Sequence, residues 1–405
     1  MIKNNLLIRN NIQKKYLDKK SIRKFDKEFK NIFSKINLDI NNPQKSLSVL
    51  GKKFKFNFKI KDLQKFNKYK TVAVIGMGGS IVGSEAIKEF LAMKIKKKIY
   101  FFDDLDEKKI FSFKKKNNLS QVLFLVISKS GNTVETLSTF LSLNIIKKKS
   151  KNIIIISKNK NNLLFNLSKK FNLFYVEHKK FIGGRFSVLS EVGIIPAYIM
   201  GVDIINLRAN LLRFLKGKQK QFLKNSSIKL ASLLYAKKIN NLIFLNYSPS
   251  FKKFLFWCQQ LIAESLGKKG KGFLPVISNM PKDNHSLLQL YLDGPKDKIF
   301  YIFSQEEKLK EQLKINKHIG KKNFLMNKNL STIKFAQKNA LIKVFKKNNI
   351  PFREFNIKAL NEETLGKLFS YFMLEIIIIG KLTKINPYDQ PAVEQIKVYT
   401  KKLLS

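Results

Sequence analysis

Two short apolar runs, each ending abruptly in a Gly/Ser-rich turn, decide which class of fold is open to this chain. Thr71-Val72-Ala73-Val74-Ile75 is β-branched and apolar at successive positions, as a strand covered on both faces must be. Gly76-Met77-Gly78-Gly79-Ser80 follows without a spacer, and Ile81 to Met93 then reads as a helix. Gln121 to Ile127 repeats the pattern, with Ser128-Lys129-Ser130-Gly131-Asn132-Thr133 as its turn and a helix from Val134 to Ile146. Lys98 to Phe102, Lys151 to Ser157 and Asn172 to Val176 supply further short strands. Strands that alternate with helices build a parallel sheet covered by helices. Such sheets bind ligands beyond the carboxyl ends of their strands, where both turns lie.

The same rhythm returns later. Asn241 to Asn246, Gly272 to Ile277, Lys298 to Phe303 and Pro351 to Phe355 read as strands between helical stretches, among them Leu207 to Lys237, although no exact repeat is visible. A chain of 405 residues is long enough for two such units. Residues 1–69 read as a few amphipathic helices followed by a short extended piece at Phe54 to Ile60. The longest apolar run, Tyr371 to Ile379, is broken by Glu375 and too short to span a bilayer, so it reads as a buried helix and no membrane partner is expected.

Charge is the loudest number and a weak guide. A net +51 points formally to a polyanion partner, but only six residues are arginine and the lysines are spread along the whole chain. Base readout favours Arg in a patterned patch, so no specific nucleic-acid partner is expected. Cys258 is the only cysteine, which excludes an internal disulfide and a thiolate metal site and fits a reducing, cytoplasmic setting. The first twenty residues contain neither a continuous apolar stretch nor a small-residue cleavage site, so no secretory signal is expected.

The candidate chemistry lies at a few points. The Phe251 to Trp257 run continues as a helix that places Gln260 and Glu264 four apart on one face. Glu264 has Trp257, Leu261, Ile262, Ala263 and Leu266 as sequence neighbours, and apolar surroundings disfavour a charged carboxylate, a condition that suits a general base. The hydroxyls of Ser128, Ser130 and Thr133 exceed what one helix cap requires, and with free N–H groups they make a phosphate cradle. Gly183-Gly184-Arg185-Phe186-Ser187 places one of the few arginines after two glycines, where its fork can stabilise an oxyanion. His285, in Asn284-His285-Ser286, is one of three histidines with His178 and His318 and can move a proton near neutral pH. Gln390 and Lys397 lie seven apart at the start of a C-terminal helix, near one face.

Taken in order, these segments resemble phosphoglucose isomerase. The matching stretches are 76–80, 128–136, 183–187, 260–268, His285 and 386–397, together spanning residues 70–400. The resemblance implies an α/β chain of two αβα sandwich domains of sugar-isomerase type with parallel-rich sheets, plus N- and C-terminal helical segments. The expected boundaries are 1–69 for an N-terminal helical segment packing on the second domain, 70–200 for the first domain, and 201–405 for the second with its C-terminal helix. It implies cofactor-free, metal-free interconversion of glucose 6-phosphate and fructose 6-phosphate by a homodimer. Glu264 is the implied base between C1 and C2, Arg185 the stabiliser of the cis-enediolate, and His285 and Lys397 the ring-opening pair, with His285 reaching the partner's site. Ser80, Ser128, Ser130 and Thr133 are the implied phosphate cradle, Gln260 and Gln390 the implied sugar contacts, and Gly79 and Gly184 further implied substrate-binding residues. The N-terminal region is short for the family, and Ala392 stands where Gly is usual. A related sugar-phosphate isomerase or a sugar-phosphate-binding regulatory module stays open, though binding alone needs no Glu264, His285 and Lys397.

Overall fold

The computed structural model describes residues 5–148, 150–159, 161–306, 315 and 323–405; His318 lies outside them. In chain order the strands are β1 (Leu6–Asn11), β2 (Thr71–Gly76), β3 (Lys98–Phe102), β4 (Val122–Ile127), β5 (Ile153–Ser157), β6 (Phe174–Glu177), β7 (Asn241–Asn246), β8 (Leu274–Asn279), β9 (Lys298–Gln305) and β10 (Phe352–Ile357). They form two five-stranded sheets, ordered β3-β2-β4-β5-β6 and β1-β10-β9-β7-β8. Every pairing is parallel except that of β1 with β10. Read from β8, the second sheet runs second strand, first, third, fourth, the same winding as β3-β2-β4-β5 in the first.

The two-residue period of a strand explains why the runs are apolar throughout. Val72, Val74, Leu123 and Leu125 pack with Val192 and Ile195 on one face of the first sheet, while Ala73, Ile75, Phe124 and Val126 meet Phe140 on the other. In the second sheet Phe244, Tyr301, Phe303 and Phe355 face the Lys252–Leu266 and Glu362–Leu382 helices, and Ile243, Phe300 and Ile302 face Phe345. Within the latter of those two helices Glu375 is fully buried and accepts from Arg353 Nη1 at 2.6 Å and from the Tyr371 hydroxyl at 2.9 Å. The charge that breaks the apolar run is therefore one half of an enclosed ion pair, as a buried carboxylate requires. Among the described residues no helix is long and apolar enough to cross a membrane.

The N-terminal region differs from its sequence reading in two places. Leu6–Asn11 is a strand, its register running from Leu6 opposite Ile357 to Asn11 opposite Phe352. Arg9 and two asparagines hide it from pattern reading, and only the β10 edge supplies its ladder partner. Phe54 to Ile60 is not a strand: Ile60 already opens the Ile60–Leu63 helix. The alternating phenylalanines instead pack edge-on (Phe54 with Phe56) and tilted (Phe56 with Phe58) beneath Arg208, whose guanidinium lies 5.3 and 5.2 Å from the rings of Phe54 and Phe56. The Lys19–Asn41 helix, capped by Asp18, buries Phe25, Phe29, Phe33, Ile36 and Ile40 against the Gly217–Ala236 and Glu362–Leu382 helices.

Candidate active site

The two Gly/Ser turns are neighbours because Gly76 of β2 pairs with Ile127 of β4. The crevice beyond them lies where the chain winds to opposite sides of β2, the switch point of a doubly wound sheet. Gly78 has φ +50°, and a Cβ on Gly79 would stand 2.3 Å from the Gly184 carbonyl carbon and 2.7 Å from the Arg185 nitrogen. Backbone therefore packs on backbone, and the Ser187 hydroxyl, within reach of the carbonyls of Gly79 (3.2 Å) and Gly184 (2.6 Å), ties the loops together.

That approach delivers Arg185, only 2% exposed, to the Lys252–Leu266 helix. Its Nε donates to Ser265 Oγ at 2.8 Å, and Nη1 donates to Glu264 Oε2 at 3.0 Å and to Gln390 Oε1 at 2.9 Å. Nη2 donates to the carbonyls of Pro387 (2.6 Å) and Asp389 (2.9 Å). Burial lowers the guanidinium from its ordinary value, and Glu264 and then Asp389 pull it back. Gln260 Nε2 donates to Glu264 Oε1 at 2.9 Å, so both carboxylate oxygens are held. Here the sequence reading needs correction. Glu264 is not enclosed by apolar groups: its side chain is 28% exposed and bound by polar partners, while Trp257, Leu261, Ile262 and Leu266 point to the core. The helix separates the two faces, which a list of sequence neighbours does not. Lys268 pairs with Asp389 at 2.7 Å, holding that carboxyl below its usual range and fixing the 386–390 turn.

In the second turn Thr133 takes the N-cap position of the Val134–Ser142 helix, yet its side chain makes no cap bond. The capping expected of one of these hydroxyls is therefore absent at that position. The hydroxyls turn instead toward one another: Ser128 Oγ lies 2.8 Å from Thr133 Oγ1, and Ser130 Oγ lies 3.3 Å from Thr133 Oγ1. The N–H groups of Gly131 and Asn132 point at the Ser128 and Ser130 hydroxyls, both at 3.2 Å. Gly131 has φ +71°, and any Cβ there would collide with Asn162. Ser80, half-buried, closes the neighbouring turn. Three hydroxyls thus lie together at the N-terminus of the Val134–Ser142 helix.

Sequence reasoning missed Lys129, although it stands inside the quoted turn. Burial, with Lys158 and Arg185 nearby, lowers its ammonium to about 8. His178 is buried, which lowers it to about 3 and keeps it neutral. His285 is exposed at the end of the Lys282–His285 turn, which Asp283 fixes by accepting from Ser278 Oγ (2.9 Å) and the Asn279 nitrogen (2.7 Å). Lys397 is exposed on the Glu394–Leu404 helix and donates to Glu394 Oε1 at 2.7 Å. Within one chain, neither His285 nor Lys397 has a hydrogen bond or ion pair to Arg185, Glu264 or Gln390 among the described residues. Gln390 precedes the Glu394–Leu404 helix instead of standing on it and reaches Arg185 while Lys397 turns to Glu394, so the shared helical face expected of them does not form.

Two sheets wound alike, with a hydroxyl cradle beside a braced carboxylate, define the phosphosugar-isomerase class of αβα sandwich proteins. The hypothetical protein TT0462 of Thermus thermophilus superposes with a TM-score of 0.82 at 23% identity, covering 98% of this chain and all (100%) of that one. A glucose-6-phosphate isomerase of Chlamydia trachomatis superposes with a TM-score of 0.78 at 16% identity, covering 99% of this chain and 88% of that one. At these identities the likeness is one of fold. Sequence carries the family: the family model "Phosphoglucose isomerase" matches residues 61–405. The glucose-6-phosphate isomerase of Methanocaldococcus jannaschii is 33% identical over 343 residues, 82% of this chain and 83% of that protein. The probable glucose-6-phosphate isomerase of Methanococcus maripaludis is 35% identical over 357 residues, 84% of this chain and 80% of that protein. The chain belongs to the phosphoglucose isomerase family.

Proposed function

We propose that the chain interconverts glucose 6-phosphate and fructose 6-phosphate, the reversible aldose–ketose step shared by glycolysis and gluconeogenesis, through ring opening and a cis-enediolate. The observation that carries the reading is the Arg185–Glu264 pair, braced by Gln260, Gln390 and Ser265, beside a hydroxyl cradle. In this reading Glu264 takes the proton from C2 and returns it to C1. Negative charge then develops on the enediolate oxygen, and the fixed positive charge of the Arg185 guanidinium, whose five N–H groups are held by protein partners, stabilises it through space. Ser80, Ser128, Ser130 and Thr133, with the backbones of Gly79 and Gly184, hold the phosphate, and Gln260 and Gln390 contact the sugar.

His285 and Lys397 open the ring. The active unit in this reading is a homodimer in which His285 serves the partner's site. Support comes from their exposure and from the Glu394–Leu404 helix, which buries none of its residues and exposes Ile396, Tyr399 and Leu403. The setting we infer is cytoplasmic, consistent with the lone buried Cys258. Nuclear magnetic resonance of purified protein with fructose 6-phosphate tests the activity: the two sugars should reach equilibrium, and no conversion sinks the reading. Mixing Glu264→Ala with His285→Ala subunits tests the shared site. Roughly a quarter of the sites regain both residues if His285 acts across the interface, and none do if it acts within its own chain.

A further inference from the structure

The two sheets have the same winding, so each has a switch point: between β2 and β4 in the first, between β7 and β9 in the second. The first carries the cradle. At the second, a cavity of about 300 Å³ opens beyond the carboxyl ends of β7 and β9. Tyr247, next after β7, and Ser304 and Gln305, at the end of β9, form part of its lining. The first turn of the 18-residue Leu330–Lys347 helix forms another part, with Asn329 as its cap accepting from the Thr332 nitrogen at 2.7 Å and Ser331 beside it.

Tyr247 is 2% exposed, lines this cavity, and its hydroxyl has no hydrogen-bond partner among the described residues. Burial pushes the phenol up, so it remains a protonated donor. A buried donor without an acceptor costs free energy that a ligand oxygen would recover. Cationic groups stand at the same place. Lys334 lines the cavity, and Lys338, 4% exposed, donates to Ser304 Oγ at 3.3 Å and Glu354 Oε1 at 3.1 Å. The carboxylate of the lining, Glu306, accepts from Asn356 Nδ2 at 3.1 Å. Phe335 also lines the cavity, with the Lys338 ammonium 5.0 Å from its ring.

We propose that this cavity is a second ligand site, distinct from the Arg185–Glu264 site, that takes a small phosphate monoester with its phosphate at the Leu330–Lys347 helix N-terminus and an ester or phosphate oxygen on the Tyr247 hydroxyl. The shared chemistry is a phosphate group, whether free or on a sugar.

Calorimetric titration of the full chain with inorganic phosphate should find two phosphates per chain. Tyr247→Phe removes only a hydroxyl that lacks a protein partner, so the fold persists, and the second affinity should fall about tenfold or more. Ser331→Asp places a carboxylate where the helix dipole welcomes it but an anion cannot follow. It should abolish the second site and leave KM at the first unchanged. Fructose 6-phosphate, titrated in a Glu264→Gln background, separates the sources: tighter binding than phosphate at the second site supports a sugar ester, and equal binding supports free phosphate. A single phosphate per chain in the wild type overturns the proposal. So does second-site affinity unchanged in Tyr247→Phe, whether or not Ser331→Asp folds.

Discussion

Replacing Glu264 by Gln separates the carboxylate's chemistry from its structural part, and the contacts allow the separation to be sized. The carboxylate accepts from Arg185 Nη1 at 3.0 Å and from Gln260 Nε2 at 2.9 Å. An amide keeps one acceptor and turns the other position into a donor. Gln260 can accommodate this, because its Oε1 is buried with no partner and a turn of its amide presents that oxygen to the new NH₂ group. Arg185 keeps the amide oxygen and all four of its remaining partners, Ser265, Gln390, Pro387 and Asp389. What is lost is the carboxylate's charge, which serves two hydrogen bonds and the ion pair with buried Arg185; at a partly exposed carboxylate, with every other Arg185 partner kept, this costs about 1–3 kcal/mol. Catalysis loses the base itself, about 10²–10⁴-fold, or roughly 3–5 kcal/mol of barrier. The assay is exchange of the C2 proton of glucose 6-phosphate with deuterated solvent, beside thermal denaturation of the same sample. The expected result is exchange reduced at least a hundredfold with Tm lowered by only a few degrees. Exchange at the wild-type rate removes Glu264 from proton transfer. A collapse of Tm would show instead that the carboxylate is chiefly a brace for Arg185.

Four further outcomes follow from the same geometry. Ser128→Ala with Thr133→Ala should raise KM strongly and change kcat little, because a phosphate anchor serves ground and transition states alike; an unchanged KM places the phosphate elsewhere. Lys129 is a cation below about 8 and neutral above it, so kcat/KM for an anionic substrate should fall as pH rises through about 8, and Lys129→Met should lower the plateau and erase that limb. Its ordinary value in the unfolded chain is higher, so between about 8 and that value the unfolded state binds more protons and stability rises with pH, a trend that denaturant titration of the two proteins would show Lys129→Met to abolish. Arg353→Met leaves Glu375 charged and buried, so it should cost about 3–5 kcal/mol in denaturant unfolding, while adding Glu375→Leu should recover much of that loss; a loss below about 1 kcal/mol would mean the pair is not enclosed.

Local chemistry settled a good part of this molecule in advance. β-Branched runs ending in Gly/Ser turns mark strands β2 and β4 because such residues fit nowhere else so well, and β3 and β7 begin and end at the residues their patterns indicate. Gly79 and Gly131, both in turns that the strand–turn–helix pattern marks, stand where the chain permits no Cβ. Helical spacing likewise set Gln260 and Glu264 on one face, and they are hydrogen-bonded there. Contacts between residues far apart in the chain were not written in any local pattern. Leu6–Asn11 is a strand only because β10 offers an edge, and Phe54 to Phe58 copies a strand's alternation while packing beneath Arg208. The apolar neighbours of Glu264 in sequence are its opposite face in space, so its surroundings are set by Arg185 from 79 residues away. The depression of Lys129 depends on burial and on Lys158 and Arg185, which only folding brings near. Periodicity reports what each residue prefers over a few neighbours; a charge's partner and a strand's edge are fixed by packing across the whole chain.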